Sequence, residues 1–218
     1  MAGHAKQSTG LKTRDSIQEA ARELFLRQGY HATGMRQIAS EAGISLGAVY
    51  NHFSSKEEIL KAILAEHNLH QAIAEALLRA RGDTVAELME SGYSEIMATL
   101  QGKEYYVSLL FLDVLEFQGR HVAQLAAVQI PRIMGFFQRL YHLGRQGGEL
   151  RDLSPVLLGR TYIQLVFSSY ILENVLKILG QEQVVLPLRV ENWQKGLIDI
   201  LLRGVLERPF PSEGRAYP

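Results

Sequence analysis

The sequence predicts an all-α fold of about nine helices, three short ones in front and six behind. Three observations lead there. Apolar residues recur at three- and four-residue spacing along nearly the whole chain, so one face of each segment can be buried. Glycine, proline and aspartate fall between these segments, where helices start and stop. Sustained alternation with a period of two, the mark of a half-buried strand, is missing. The 218 residues suffice for one or two domains with a core that needs no metal or disulfide staple. Cysteine is absent, which excludes a disulfide framework and a thiolate site. Lys+Arg and Asp+Glu number 23 each, which excludes a globally basic nucleic-acid binder but leaves room for a local DNA-reading surface.

The elements follow in order. Residues 1–12 read as a flexible arm. The first helix is expected over 13–28, with Ile17, Ala20, Ala21, Leu24 and Phe25 as its buried stripe and Gly29 as its stop. A short helix over 34–42 follows Thr33 as N-cap, with Ile38 and Ala39 inward and Gly43 as breaker. Another opens at Ser45 and ends near His52, with Phe53 anchoring the exit. Ser54 with Glu57, or Ser55 with Glu58, makes a capping box that starts a long helix ending before Gly82. Thr84 and Glu87 form another possible box for a helix over 84–100, and one more is expected over 104–117. The next, over 121–145, contains Pro131, so a kink is expected where the bond to the Ala127 carbonyl is lost. Ser154-Pro155 opens a helix to about Leu179, and Pro187 opens the last, to about Leu206. Residues 209–218 read as a frayed tail. The domain boundaries that result are 13–54 and 55–208.

Residues 33–53 are the most informative. Two short helices flank a tight turn at Gly43, and the second, Ser45 to Asn51, is too small and polar on one face to be core. Only Val49 and Phe53 clearly belong inside. This is a helix-turn-helix arrangement, whose second helix can enter a major groove. The segment 42–55 carries no acidic side chain to repel phosphate.

Residues 13–64 resemble the DNA-binding domain of the TetR (tetracycline-repressor) family of bacterial transcriptional regulators. The resemblance rests on Ala20-Ala21, Leu24-Phe25, Gly29-Tyr30, Ala32-Thr33, Met35 to Ala39, Glu41 to Ser45, Gly47 to Tyr50, His52-Phe53 and Ser55 to Leu60. It implies that Thr33 offers hydroxyl and amide groups to a phosphate and that Arg36 reaches a guanine edge or a phosphate. Ser45, Leu46, Gly47, Ala48 and Asn51 would face base edges. Tyr50 would place its hydroxyl on a phosphate with His52 close by, and Lys56 would contact the backbone. Lys12 and Arg14 would add contacts from the arm. Leu46 departs from the family, which often has a polar or basic side chain there. Residues 1–60 hold seven Lys and Arg against six Asp and Glu, so attraction to DNA is modest and two copies on one operator are needed.

The segment 157–179 is apolar nearly all round, as a helix buried on two sides must be. In the last helix Trp193, Leu197, Ile200 and Gly204 form a narrow seam. These two helices predict a homodimer through a four-helix bundle, with Ser168, Ile171, Leu172, Trp193, Leu197, Ile200, Leu201 and Gly204 at the interface. The family resemblance implies the same pairing, and it implies a small effector bound among the middle helices. The large, soft side chains there are Met89, Tyr93, Met97, Leu110, Phe117, Met134, Phe137, Tyr141 and Phe167. Asp113, Arg160 and Gln164 are polar groups among them, and a buried charge needs a partner or a ligand. That composition favours a lipophilic or aromatic effector.

Glu66, His67 and His70 share a helix face, but no fourth ligand is local, so no metal is expected. No cofactor is expected either. No nucleophile elbow, phosphate-cradling Gly-Lys-Ser/Thr loop or His-Glu-x-x-His motif is present, so no enzyme is expected. The longest apolar stretch, 162–172, is about half a membrane span, and residues 1–12 lack the apolar run of a signal peptide. A cytoplasmic, ligand-released repressor of a pseudo-palindromic double-stranded operator is therefore expected. The competing reading is a helical ligand-binding or scaffolding protein whose helix-turn-helix does not read DNA.

Overall fold

The computed structural model describes the chain apart from Met1, Glu149 and residues 179–192 and 206–218; side chains are described for residues 12–172, Glu149 excepted, and 196–205. Among the described residues the regular elements are all helices. They are α1 (Ala2–Gln28), α2 (Met35–Glu41), α3 (Leu46–Tyr50), α4 (Lys56–Glu66) and α5 (Leu69–Arg79), then α6 (Val85–Leu100), α7 (Tyr105–Phe117), α8 (Arg120–Gln146), α9 (Pro155–Ile178) and α10 (Trp193–Val205). The predicted ends at Leu179 and Leu206, the start at Pro187 and the tail 209–218 lie outside the described residues, as does the side chain of Trp193.

Two expectations are corrected by the backbone. Residues 2–12, expected as an arm, continue α1, and no proline stands between them and Thr13 to stop the helix. The long helix expected from Ser55 to Gly82 is two. His67 leaves the helical region at φ −103° and ψ 47°. The Asn68 side chain then accepts from the amides of His70 (3.0 Å) and Gln71 (3.2 Å), as a helix cap does. By contrast α8 runs on through Pro131.

The chain forms two compact units, one of residues 1–71 and 102–129, the other of 72–101 and 130–218. The division differs from the boundary expected at residue 54, because α4 packs mainly on α1 and α7 joins the same core. In the first unit the predicted stripe of α1 is buried with Ile38, Val49, Phe53, Ile59, Leu60 and Leu109. α3 is too short to be stable alone, so this core and its cap fix it.

The second unit is built around aromatic rings. Phe137 lies 5.1 Å from Phe136 and 5.5 Å from Tyr162, edge to face in both cases. The Tyr162 hydroxyl donates to the Met89 carbonyl at 2.7 Å, and that of Tyr170 to the Leu100 carbonyl at 3.2 Å. Gly159 lets the rings close in, since a Cβ there would meet the Phe137 ring at 2.8 Å. The capping box of α6 is formed: Thr84 Oγ1 accepts from the Glu87 amide and the Glu87 carboxylate from the Thr84 amide, both at 3.2 Å.

Candidate nucleic-acid interface

The turn between α2 and α3 is set by its backbone. The Gly43 amide donates to the Ser40 carbonyl at 3.2 Å and that of Ile44 to the Ala39 carbonyl at 3.0 Å. Gly43 sits at φ 67°, a left-handed conformation that costs an L side chain about 1–2 kcal/mol. Ser45 then caps α3, its hydroxyl accepting from the Ala48 amide at 3.2 Å. Val49 is driven into the core, and Gly47, Tyr50 and Asn51 are left on the outside. Ser45 and Arg36 are exposed, and Ala48 and His52 are half-buried. Tyr50 is 52% exposed, its ring left outside the core.

Three predicted contact residues face elsewhere. Thr33 is buried, and its hydroxyl donates to the Gly29 carbonyl at 2.9 Å. It does not cap α2: Gly34 holds that position, and its amide donates to the Gln37 side chain at 2.8 Å. Lys56 turns inward. Its Nζ donates to the carbonyls of Tyr30 (2.7 Å) and Thr33 (3.1 Å) and sits 4.2 Å above the Tyr30 ring. Burial pulls the lysine below its ordinary range, opposed by the charge of Glu116. Leu46 is half-buried against the core of the first unit, which explains why a leucine suits it. Arg14, expected to reach DNA from the arm, lies within α1 and stacks its guanidinium 4.5 Å above the Phe53 ring.

The start of α4 resolves the two capping alternatives. Ser55 is the N-cap and accepts from the Glu58 amide at 3.2 Å. The Glu58 carboxylate reaches back one residue further, accepting from the amide (2.7 Å) and hydroxyl (2.8 Å) of Ser54. Those bonds hold it below the usual carboxylate range.

Sequence reasoning missed the charge cluster behind this surface. Asp113, expected to meet a ligand, is fully buried and already satisfied. One oxygen lies 2.6 Å from His121 Nδ1, and the other accepts from the Val122 amide at 3.0 Å. His121 Nε2 lies 3.2 Å from Glu57, which also receives Arg120 (3.0 Å) and Lys61 (3.4 Å). Against the cost of burial, hydrogen bonds from Lys61 and His121 keep the Glu57 carboxyl below its usual range. Glu116 pairs with His31 at 2.5 Å. The clue was present as two acids inside an apolar helix, but His121 follows across a turn, off any helical spacing.

Other expected ligand contacts are divided. Phe117 packs edge to face on Tyr30 at 5.2 Å, and Leu110 lies over a crevice with His67 and His70, all within the first unit. In the second unit Met89, Tyr93 and Phe137 are buried, Met97, Met134 and Tyr141 are half-buried, and Arg160 and Gln164 are exposed. Gln164 and Phe167 line an open apolar groove between α9 and α10, together with Ser168, Ile171, Leu172, Leu197, Ile200 and Leu201. Six of the eight residues expected at a dimer interface therefore lie on that groove, and Gly204 is exposed. Glu66 accepts from Gln18, and His67 shares a contact with the Tyr105 hydroxyl at 3.3 Å. No helix among the described residues is long and apolar enough to cross a membrane.

Comparison with known proteins bears on this geometry. Residues 17–63 match the model of bacterial regulatory proteins of the tetR family. The HTH-type transcriptional regulator UidR of Escherichia coli K12 is 40% identical over 165 residues, 74% of this chain and 81% of that one. The HTH-type transcriptional activator FasR of Mycolicibacterium smegmatis is 48% identical over 60 residues, 27% of each chain. Among solved structures, native NalD is described as the secondary repressor of the MexAB-OprM multidrug efflux pump in Pseudomonas aeruginosa. It superposes with a TM-score of 0.63 at 23% identity, covering 90% of this chain and 98% of that one.

Proposed function

The chain belongs to the tetR family of bacterial regulatory proteins and is a DNA-binding transcriptional regulator, and on that premise we propose that it is a cytoplasmic repressor released from its operator by a small molecule. The observation that carries the reading is the exposed, acid-free face of α3. Ser45, Gly47, Ala48 and Asn51 face base edges there, Arg36 reaches a base or a phosphate, and Tyr50 and His52 meet the backbone. Small side chains let the short helix sit deep in the groove. Thr33 and Lys56 act from behind, by holding the turn that presents this face.

A single reading surface with few charges binds weakly, so the operator is read by a homodimer. The apolar groove of α9 and α10 supports pairing through a four-helix bundle. The two α3 helices then enter successive major grooves about 34 Å apart on a pseudo-palindromic site. A lipophilic or aromatic effector binds among Met89, Tyr93, Met97, Met134, Phe137 and Tyr141 and favours a spacing that does not fit DNA. Coupling of about 1–3 kcal/mol is expected.

Fluorescence anisotropy tests this reading. Purified protein is titrated into labelled DNA flanking its own gene and into scrambled DNA, at two salt concentrations. Tight, salt-sensitive preference for the native fragment supports it. The Tyr50→Phe variant should weaken binding to all sequences alike, because a phosphate contact carries no sequence information. A changed sequence preference in that variant contradicts the assignment. Operator affinity unaffected by any saturating ligand contradicts the release mechanism.

A further inference from the structure

The loop 29–34 carries the chain from α1 to α2, and it is built around Tyr30. The Thr33 amide donates to the Tyr30 carbonyl at 3.2 Å, and the Thr33 hydroxyl to the Gly29 carbonyl at 2.9 Å. Ring and turn therefore move together, and α2 starts directly after them, with Gly34 as its N-cap. The Tyr30 ring is buried among side chains from three helices. Phe25 of α1 lies 5.2 Å away, and Lys56 of α4 sits 4.2 Å above the ring. Phe117, the last residue of α7, meets it edge to face at 5.2 Å. Phe25 and Lys56 lie within the segment 17–63 that matches the family, whereas Phe117 comes from beyond the insertion 72–101. Its ring is backed in turn by that of His121 at 4.8 Å. The neighbouring Glu116 pairs with His31 on the same loop, but His31 is 83% exposed, and such a pair contributes little. Among the described residues, the firm contact from α7 onto this loop is thus the pair of rings.

We propose that Phe117 is a positioning residue for DNA binding. Its ring seats Tyr30, and through Tyr30 it sets where α2 begins and hence where α3 is held. This gives α7 a direct route to the reading helices that does not run along α4. It also gives Phe117, expected as an effector contact, a different task. The ring pair is directional: an edge meets a face, which an aliphatic side chain of similar bulk cannot supply. A loop already held in place loses less freedom when DNA is bound. The inference rests on the DNA-binding reading, and its experiment has an arm independent of DNA.

The first arm is amide hydrogen exchange on the full DNA-free chain, wild type against Phe117→Leu. The Thr33 amide should exchange about fivefold faster or more in the variant, beyond any acceleration of the buried Ala21 and Leu24 of α1. Acceleration of those two by as much as Thr33 makes Phe117 mere core filling, and an unmoved Thr33 removes its hold on the loop. Either result overturns the proposal. The second arm measures affinity by anisotropy, per folded molecule, for a genomic DNA fragment selected by the wild type. Phe117→Leu should lose about three- to tenfold, and Phe117→Tyr, which keeps the ring, should stay within about twofold. A leucine variant that binds as the wild type does, or a tyrosine variant that loses as much as leucine, overturns the proposal. If the wild type selects no DNA, the operator reading fails while the exchange arm still judges the seat.

Discussion

The two compact units differ in the polar side chain at the centre of each. In the second, the hydroxyls of Tyr162 and Tyr170 donate to helix carbonyls, and no charge is involved. Burial drives the Tyr162 phenol far above its ordinary range, so it stays neutral across any working pH. In the first unit Thr33 makes a neutral bond of the same kind, but the most deeply buried polar group is the carboxylate of Asp113, held by His121 and the Val122 amide. A neutral hydroxyl bond is indifferent to protons and salt. A buried carboxylate depends on the groups that donate to it, and losing them leaves its charge dry. The first unit thus has the interior that is the more costly to disturb.

Substitutions can break or sharpen this contrast. The largest effect is expected for Asp113→Ala, which strands His121 and the Val122 amide and should cost about 3–5 kcal/mol in urea unfolding. A cost below that of Tyr162→Phe would undo the contrast. Gly159→Ala forces a Cβ onto the Phe137 ring and should cost about 1–3 kcal/mol, with no dependence on pH. Tyr162→Phe removes one neutral hydrogen bond and should cost about 1 kcal/mol, again equally at acid and neutral pH.

The first unit also holds two half-buried histidines. Burial pushes His67 and His70 below the ordinary imidazole range, so the fold favours their neutral forms. Their contribution to stability is complete above about pH 6.5 and is lost as pH falls through their lowered values. Replacing both by glutamine should therefore reduce the acid sensitivity of the urea midpoint, and an unchanged acid limb would contradict this. The smallest effect belongs to the α7–α8 turn. Gln118 has φ 56°, and its amide and that of Gly119 both donate to the Asp113 carbonyl. Gln118→Gly should stabilise the protein by about 0.5–1 kcal/mol, read as a raised urea midpoint.

Legibility in the sequence followed the kind of interaction. The α1 stripe, Val49 and Phe53 were readable because apolar burial repeats with the helix period. The exposed face of α3 was readable for the complementary reason, small and polar residues where a core would need bulk. Thr33 and Lys56 were misplaced because a hydroxyl or an ammonium looks the same whether it faces a phosphate or a carbonyl. The Asn68 break was hidden because residues 56–79 keep an apolar period across it, and one side-chain cap divides them. Asp113 showed itself as a charge in need of a partner. The partner lay beyond a turn of two left-handed residues, where no spacing rule reaches.

The first unit is discontinuous in the chain, with residues 72–101 inserted between its two parts. A chain made from its N-terminus at about 5–20 residues per second exposes α1 to α4 to the cell several seconds before α7 and the start of α8 exist. During that interval the surface later covered by Leu109 is open, and Glu57 has neither Arg120 nor His121. The DNA-reading helices are therefore synthesised before the segments that complete their core. A nascent or truncated chain cannot hold the operator in the finished way, and this delays competition for the site until the rest of the first unit has been made.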